Sequence, residues 1–101
     1  MAKVEAENTE LEILWVKSTT DITKLASAIA ILIRNNVKFA TRTVGAGALN
    51  QAIKGIAIAR GYLSSRGIDL IFWPEFYDLK IGGKERTAIV LFVEPRKLLD
   101  K

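Results

Sequence analysis

A group of polar side chains follows a glycine-containing turn in the middle of the sequence. Segment 44–61 predicts the end of a strand, a tight turn through Gly45 and Gly47, and a helix that begins at about Ala48. Exposed backbone amides and the helix dipole favour an anion at such a helix start. The candidate ligand contacts in this first part of the helix are Asn50, Gln51 and Lys54.

The same turn lacks the rest of a nucleotide-binding fingerprint. A dinucleotide-binding turn has a third glycine where Asn50 stands, and a phosphate-binding loop has a Lys-Ser or Lys-Thr pair after the glycines. A mononucleotide or another small anion is therefore only an alternative ligand. We favour a tight strand-to-helix turn that packs against a second subunit.

Further cations stand where they could contact a polyanion. Lys17 and Lys24 flank the predicted start of the first helix, and Lys84 and Arg86 project from one face of a predicted hairpin. The alternative is that the lysines only face water and that the hairpin charges prevent edge-to-edge pairing of strands. The complete set of predicted nucleic-acid contacts is Lys17, Lys24, Arg42, Asn50, Gln51, Lys54, Lys84 and Arg86.

The distribution of charge favours a polyanionic partner. The chain has 15 Lys and Arg against 11 Asp and Glu, a formal net charge of +4. Four of the acids and one of the bases lie within the first twelve residues, so the other 89 residues carry fourteen bases against seven acids. A basic body of this kind suits DNA or RNA. Charges that merely keep an apolar domain in solution are the alternative.

Catalysis has little support in the composition. The chain has no cysteine and no histidine, which removes the usual general base, the usual zinc ligands and the common nucleophile–histidine pairs. No acid is spaced to work with a nucleophile. We therefore predict a protein without enzymatic activity, cofactor or metal site. The acids that we considered are Asp69, Glu75, Asp78 and Glu85.

Length and hydropathy predict one domain. The chain has 101 residues, half of them hydrophobic, which is enough for a single core. We expect a flexible tail over residues 1–10 and one domain over residues 11–97. No apolar run reaches the roughly 18 residues of a membrane span, and the N-terminus is too acidic for a secretory signal. A cytoplasmic protein without membrane contact is the expectation.

Periodicity predicts two strand–helix pairs in the first two thirds of the chain. Residues 11–17 alternate as a strand, and Ser18 with Asp21 fits a capping box that starts a helix ending at Asn35-Asn36. Residues 37–44 predict a second strand, parallel to the first. The second helix should then run to about Ser65, where Gly67 ends it.

A hairpin completes the predicted order β-α-β-α-β-β. Residues 68–81 are rich in β-branched and aromatic side chains, and Pro74 predicts an edge position or a bulge. Gly82-Gly83 makes the turn, which pairs Ile81 with Lys84 and Leu79 with Arg86. The returning strand should span residues 87–94 and stop at Pro95. The predicted fold is an α/β (α+β) two-layer sandwich, a mixed four-stranded sheet with two helices on one face.

Two surfaces predict self-association. Small residues recur on one face of the second helix, and a glycine within a helix indicates close approach of another element at Gly55 and Gly61. The last strand is apolar on both faces, so helices on one side leave Ala88, Val90 and Phe92 exposed. A homodimer or homotetramer would cover them. The predicted oligomer interface is Ala48, Ala52, Gly55, Val90 and Phe92.

Several blocks, in order, resemble the stage V sporulation protein S family of bacteria. They are Gly45–Ala52, Ile58–Gly61, Gly67–Ile71, Glu85–Ile89 and Val93–Arg96, and the resemblance extends over roughly residues 13–96. It implies a small regulatory protein of bacterial development. The family is similar in fold to the Alba chromatin proteins, whose β-α-β-α-β-β domain dimerises and binds DNA or RNA.

The sequence departs from the Alba proteins in its charged loops. Alba proteins carry lysines between the first strand and helix and arginines before the second helix. Here the first loop is Ser18–Asp21 and the turn Gly45–Gly47 has no charge. The resemblance implies a nucleic-acid-binding regulator, with Lys84 and Arg86 on a short hairpin. The alternative is an oligomeric protein-interaction module that does not bind nucleic acid.

Overall fold

The computed structural model describes residues 11–98, and the tail predicted for residues 1–10 lies outside this range. The chain follows the predicted order β-α-β-α-β-β. Its elements are β1 (Glu12–Trp15), α1 (Ile22–Arg34), β2 (Phe39–Thr43), α2 (Ala46–Ser64), β3 (Ile68–Ile81) and β4 (Lys84–Lys97).

The strands form one mixed sheet in the order β1-β2-β4-β3. β1 and β2 pair in parallel, and β4 pairs antiparallel with both β2 and β3. β3 is therefore parallel to β1 and β2, and each helix crosses between two parallel strands. Leu91 and Val93 of β4 lie in one core with buried residues of both helices. The predicted α+β sandwich, with two helices on one face of the sheet, is confirmed.

The ends of the helices follow their capping residues. Asp21 is the N-cap of α1, because its Oδ1 accepts hydrogen bonds from the backbone N–H groups of Thr23 at 2.9 Å and Lys24 at 3.1 Å. The prediction that Ser18 caps this helix is wrong. α1 ends at Arg34 with Asn35 as its C-cap, as predicted.

α2 begins at Ala46, two residues before the predicted start. The preceding Gly45 has φ 95° and ψ 157°, a conformation that only glycine adopts readily. The sharp turn at Gly45 therefore allows the helix to start at once. Among residues 11–98, no side chain caps this end of α2.

The hairpin has the predicted register and a longer second strand. Gly82 and Gly83 both have positive φ, and Ile81 pairs with Lys84. β4 continues through Pro95 to Lys97, so the prediction that Pro95 stops the strand is wrong. The last β2–β4 pair is at Val93, and beyond it β2 needs no backbone donor from Pro95.

For Pro74 the sequence predicts either an edge strand or a bulge, and the structure shows the edge strand. β3 is an edge strand, and its pairing with β4 runs without interruption through the pair Pro74–Leu91. The edge position is therefore correct, and no bulge is needed.

The small residues of α2 pack against α1 of the same chain. A Cβ atom on Gly55 would lie 2.6 Å from Leu25 Cδ2 and 2.9 Å from its Cγ, so a larger residue would force Leu25 to move. Ala48, Ala52 and Gly55 are buried within one chain, and this corrects their assignment to an oligomer interface. At Gly61 a Cβ atom would meet nothing within 4 Å, so the predicted close approach there is wrong.

The face of the sheet without helices is partly covered by the chain's own side chains. Ala88 is 0% and Val90 5% exposed, although no helix lies over them. The side chain of Arg42, from β2, reaches across β4 to the ring of Tyr77 on β3, at 4.6 Å. The expectation that a second subunit must cover Ala88 and Val90 is therefore wrong, whereas Phe92 is half-buried.

One buried carboxylate links α2 to the two strands of the hairpin. Asp69, at the start of β3, forms ion pairs with Arg60 of α2 and Arg96 of β4, and its Oδ2 lies 2.8 Å from Arg96 Nη2. Its Oδ1 also accepts a hydrogen bond from the backbone N–H of Leu70 at 2.9 Å. Hydrogen bonds from Arg60 and then Arg96 lower the pKa of Asp69 well below its ordinary value.

Substitution of two glycines in α2 should have opposite effects on stability. Gly55→Ala should lower the free energy of unfolding by about 1–3 kcal/mol, because the new methyl group overlaps Leu25. Gly61→Ala should raise it by up to about 1 kcal/mol, because alanine favours the helix and the space is open. Urea denaturation measures both. Equal effects of the two substitutions would contradict the packing described.

Replacement of Asp69 should destabilise the protein in a pH-dependent way. The folded-state pKa of Asp69 is lowered, so its contribution is complete above the unfolded-state pKa of about 3.9 and is lost as the pH falls below it. Asp69→Asn should therefore lower Tm at pH 7, and the difference from the unsubstituted protein should narrow towards pH 2. Asp78→Asn, at an exposed position, is the control. A difference in Tm that stays constant with pH would refute this role.

Candidate nucleic-acid interface

The topology brings most of the predicted contact residues to one edge of the sheet. Parallel strands end at the same edge, so β1, β2 and β3 all terminate there. Both helices begin at this edge, and the hairpin turn also lies there. We call it the helix-start edge. It holds Lys17, Lys24, Asn50, Gln51, Lys54, Lys84 and Arg86.

The two helix starts are in direct contact. Gln51 of α2 donates a hydrogen bond from Nε2 to the backbone carbonyl of Thr20, at 2.9 Å. A Cβ atom on Gly47 would lie 3.1 Å from Cβ of Ser18, so the loop before α1 rests on the first turn of α2. Gln51 thus holds the two loops together. Its amide nitrogen is engaged within the chain.

The other polar residues at this edge face solvent. Lys17, Lys24, Asn50 and Lys54 are all exposed. The first amides of α1 are bound by Asp21, whereas α2 has no side-chain cap. The open amides at the start of α2 and its dipole therefore favour an anion at this edge.

The hairpin projects beyond the rest of the sheet at the same edge. The β2–β4 pairing ends at Thr43 and Ile89, so residues 84–88 of β4 extend past β2 with only β3 beside them. Five residues of a strand span about 17 Å. Lys84 and Arg86 are exposed and share one face of this extension, as predicted.

Arg42 is the one predicted cation that lies apart from the helix-start edge. Its guanidinium carbon stands 5.0 Å from the ring centre of Trp15 and 4.6 Å from that of Tyr77. These contacts lie on the helix-free face of the sheet. Arg42 therefore belongs to a different surface, formed with aromatic side chains of β1 and β3.

The sequence interpretation missed these aromatic residues. Trp73 stacks on Phe92 with ring centres 5.7 Å apart and an angle of 18°. The predicted hairpin register could have identified these pairs. When the register is extended from the glycine turn, it pairs Trp73 with Phe92 and Tyr77 with Ala88. The approach of Arg42 to Tyr77 had no such signal, since β4 lies between their strands.

Residues 11–98 contain neither a candidate metal site nor a membrane-spanning helix. Asp and Glu in this range form no group of three that could hold a metal ion. Neither α1 nor α2 is both long and apolar enough to cross a membrane.

Comparison with known proteins gives one family and one fold. The model of the family "Stage V sporulation protein S (SpoVS)" matches residues 12–96. Among solved structures, the chain is similar to Alba from Thermoplasma volcanium, with a TM-score of 0.54 and 15% sequence identity over 82% of this chain and 99% of the other. At this identity the structural match establishes a common fold.

Proposed function

The chain belongs to the stage V sporulation protein S family and has an Alba-like fold, and from this premise we propose that it is a nucleic-acid-binding regulatory protein of bacterial development. In this proposal DNA or RNA binds at the helix-start edge. The observation that carries the proposal is the convergence of the uncapped start of α2, three exposed lysines and the cationic hairpin on one edge.

The arrangement suits the backbone of a nucleic acid. Lys17 and Lys24 lie at the start of α1, which contacts the start of α2 through Gln51 and Thr20, and Lys54 lies about two turns along α2. Phosphate oxygens at this edge would find both positive charge and free amides. Lys84 and Arg86 stand on an arm about 17 Å long. Such an arm can follow a groove or a strand while the lysines hold the phosphates on either side.

Two acids of the chain already have partners within it. Asp69 is held by two arginines at the opposite edge, and Asp78 accepts a hydrogen bond from Thr87 Oγ1 at 3.2 Å. This use of the carboxylates supports a binding role without catalysis. The ion pairs among residues 11–98 do not involve the cations of the helix-start edge, which supports their availability to an external anion.

Self-association is the second part of the proposal. Phe72 and Phe76 of the edge strand β3 are large apolar side chains on the helix side of the sheet, and Phe76 is 81% exposed. Ile53 of α2 is also exposed. We propose that a second copy of the chain covers this surface. It replaces the interface predicted from Ala48, Ala52 and Gly55.

Removal of the hairpin cations should weaken nucleic-acid binding. In the double variant Lys84→Ala/Arg86→Ala, we expect the affinity for labelled DNA or RNA to fall about tenfold at low salt. The magnitude of the negative slope of log K against log salt concentration should decrease by about two. The physical reason is the loss of two phosphate contacts. Fluorescence anisotropy with duplex DNA, single-stranded DNA and RNA at two salt concentrations measures both.

A matched variant separates this site from the overall charge. Arg34 ends α1 and Lys97 ends β4, so both lie at the opposite edge of the sheet. Arg34→Ala/Lys97→Ala removes the same two charge types and should leave the affinity nearly unchanged. An equal loss in both double variants would point to net charge alone. Absence of binding by the unsubstituted protein at low salt would refute the proposed function.

Self-association should depend on β3. Phe76→Ser should shift the protein towards the monomer, because it removes the most exposed large apolar side chain of the proposed interface. Ile31→Ser changes an exposed apolar residue of α1 and should have no such effect. Size-exclusion chromatography with light scattering measures the molar mass. A mass that is unaffected by Phe76→Ser would exclude this surface.

A further inference from the structure

The helix-free face of the sheet carries aromatic side chains and cations in successive rows. Cross-strand pairing defines each row, and rows are about 7 Å apart. From one edge to the hairpin turn, the rows are Ile13-Ala40-Phe92-Trp73, then Trp15-Arg42-Val90-Glu75, then Ala88-Tyr77, then Arg86-Leu79, then Lys84-Ile81. The cations of the hairpin and the aromatic residues thus lie on one continuous surface.

The guanidinium of Arg42 lies between two aromatic rings. It covers one side of Trp15 and of Tyr77, which remain 51% and 48% exposed. Arg42 Nε is buried without a hydrogen-bond partner among residues 11–98, and no carboxylate in this range forms an ion pair with Arg42. The two rings therefore hold the planar guanidinium in one orientation, and its charge is unpaired within this range.

We propose that this face binds a single strand of DNA or RNA, with bases stacked on Trp15, Tyr77 and Trp73 and a backbone phosphate at Arg42. The inference rests on the proposed function and specifies its ligand. Exposed aromatic rings on a sheet can stack only on bases that are not paired and stacked within a duplex. Lys84 and Arg86 continue the backbone path along the hairpin.

A cleft at the far end of the face extends the surface for bases. It has a volume of about 450 Å³, and its lining includes Trp73 and Phe92 of this face together with Asn36, Lys38 and Glu94. This volume lies within the usual range for small-molecule sites. A base stacked on Trp73 would meet an amide, a cation and a carboxylate, which can bind donors and acceptors of its polar edge.

A second copy of the chain fits this face less well. Ala88 and Val90 are already buried by the chain itself, so little aliphatic area remains for a partner to cover. The face also carries charges of both signs, Arg42 and Glu75 in one row, whereas the centres of protein interfaces are depleted of charge. These features favour a ligand whose flat rings and anionic groups are separate parts of one molecule.

Tryptophan fluorescence tests the proposal directly, because both tryptophans of the chain lie on this face. A ten-nucleotide single-stranded oligonucleotide should quench the emission of the full chain at the concentrations at which anisotropy shows binding. Trp15→Leu should weaken single-strand binding about fivefold to a hundredfold. It should leave binding of a duplex of the same length unchanged.

Two conservative variants keep the test independent of folding defects. Arg42→Lys retains the charge but not the planar group, and it should weaken single-strand binding while the thermal melt changes little. Glu75→Gln removes the acid in the same row as Arg42, two strands away, and should tighten binding. Effects of the opposite sign in either variant would overturn the proposal.

The outcomes separate this inference from the proposed function. If anisotropy shows binding without quenching, and Trp15→Leu and Arg42→Lys bind normally, the proposed function stands and this inference fails. If no nucleic acid binds, both fail. A third outcome is that the tryptophan emission of the protein alone depends on its concentration and that Trp15→Leu changes its molar mass in solution. In that case a second copy covers the face and the inference is wrong.

Discussion

The close approach of α1 and α2 at Gly55 is the contact on which the rest of the structure depends. The outer strands of a four-stranded sheet are only about 14 Å apart, and two helices with side chains each need about 10 Å. They pack closely side by side at Gly55, where Leu25 of α1 occupies the space that a side chain at residue 55 would fill. The same packing brings the two helix starts together, so that Gln51 reaches Thr20 and the lysines of both helices share one edge.

Placing both helices on one face leaves the other face of the sheet without a second layer from residues 11–98. Small residues of β4 are shielded there by long side chains from neighbouring strands, above all Arg42 reaching across β4 to Tyr77. This arrangement leaves the rings of Trp15 and Tyr77 and the guanidinium of Arg42 at the surface. An aliphatic covering would bury Ala88 and Val90 equally well but would offer nothing to a base or a phosphate.

Membership of the family and likeness to Alba settle the fold and leave the function to the site. The charged loops that the resemblance would lead one to expect are short of cations here. The chain offers instead an uncapped helix start, a projecting arm and an aromatic face. Affinity that rests on stacking is less sensitive to salt than affinity from phosphate contacts alone, so the two surfaces would contribute in physically different ways.

The sequence by itself determined the order of elements, the parallel pairing of the first two strands, the hairpin register and the exposed position of Lys84 and Arg86, because periodicity and glycine turns are local. The N-cap of α1 was predicted at the wrong residue, because Ser18 and Asp21 are both good N-cap residues and the path of the loop determines which of them caps the helix. The sequence interpretation assigned Gly55 to an interface between subunits because a small-residue seam does not identify its partner. Only the tertiary structure decided that α1 fills the seam and that Arg42 meets Tyr77, since both contacts join residues whose distance depends on how strands and helices are arranged in space.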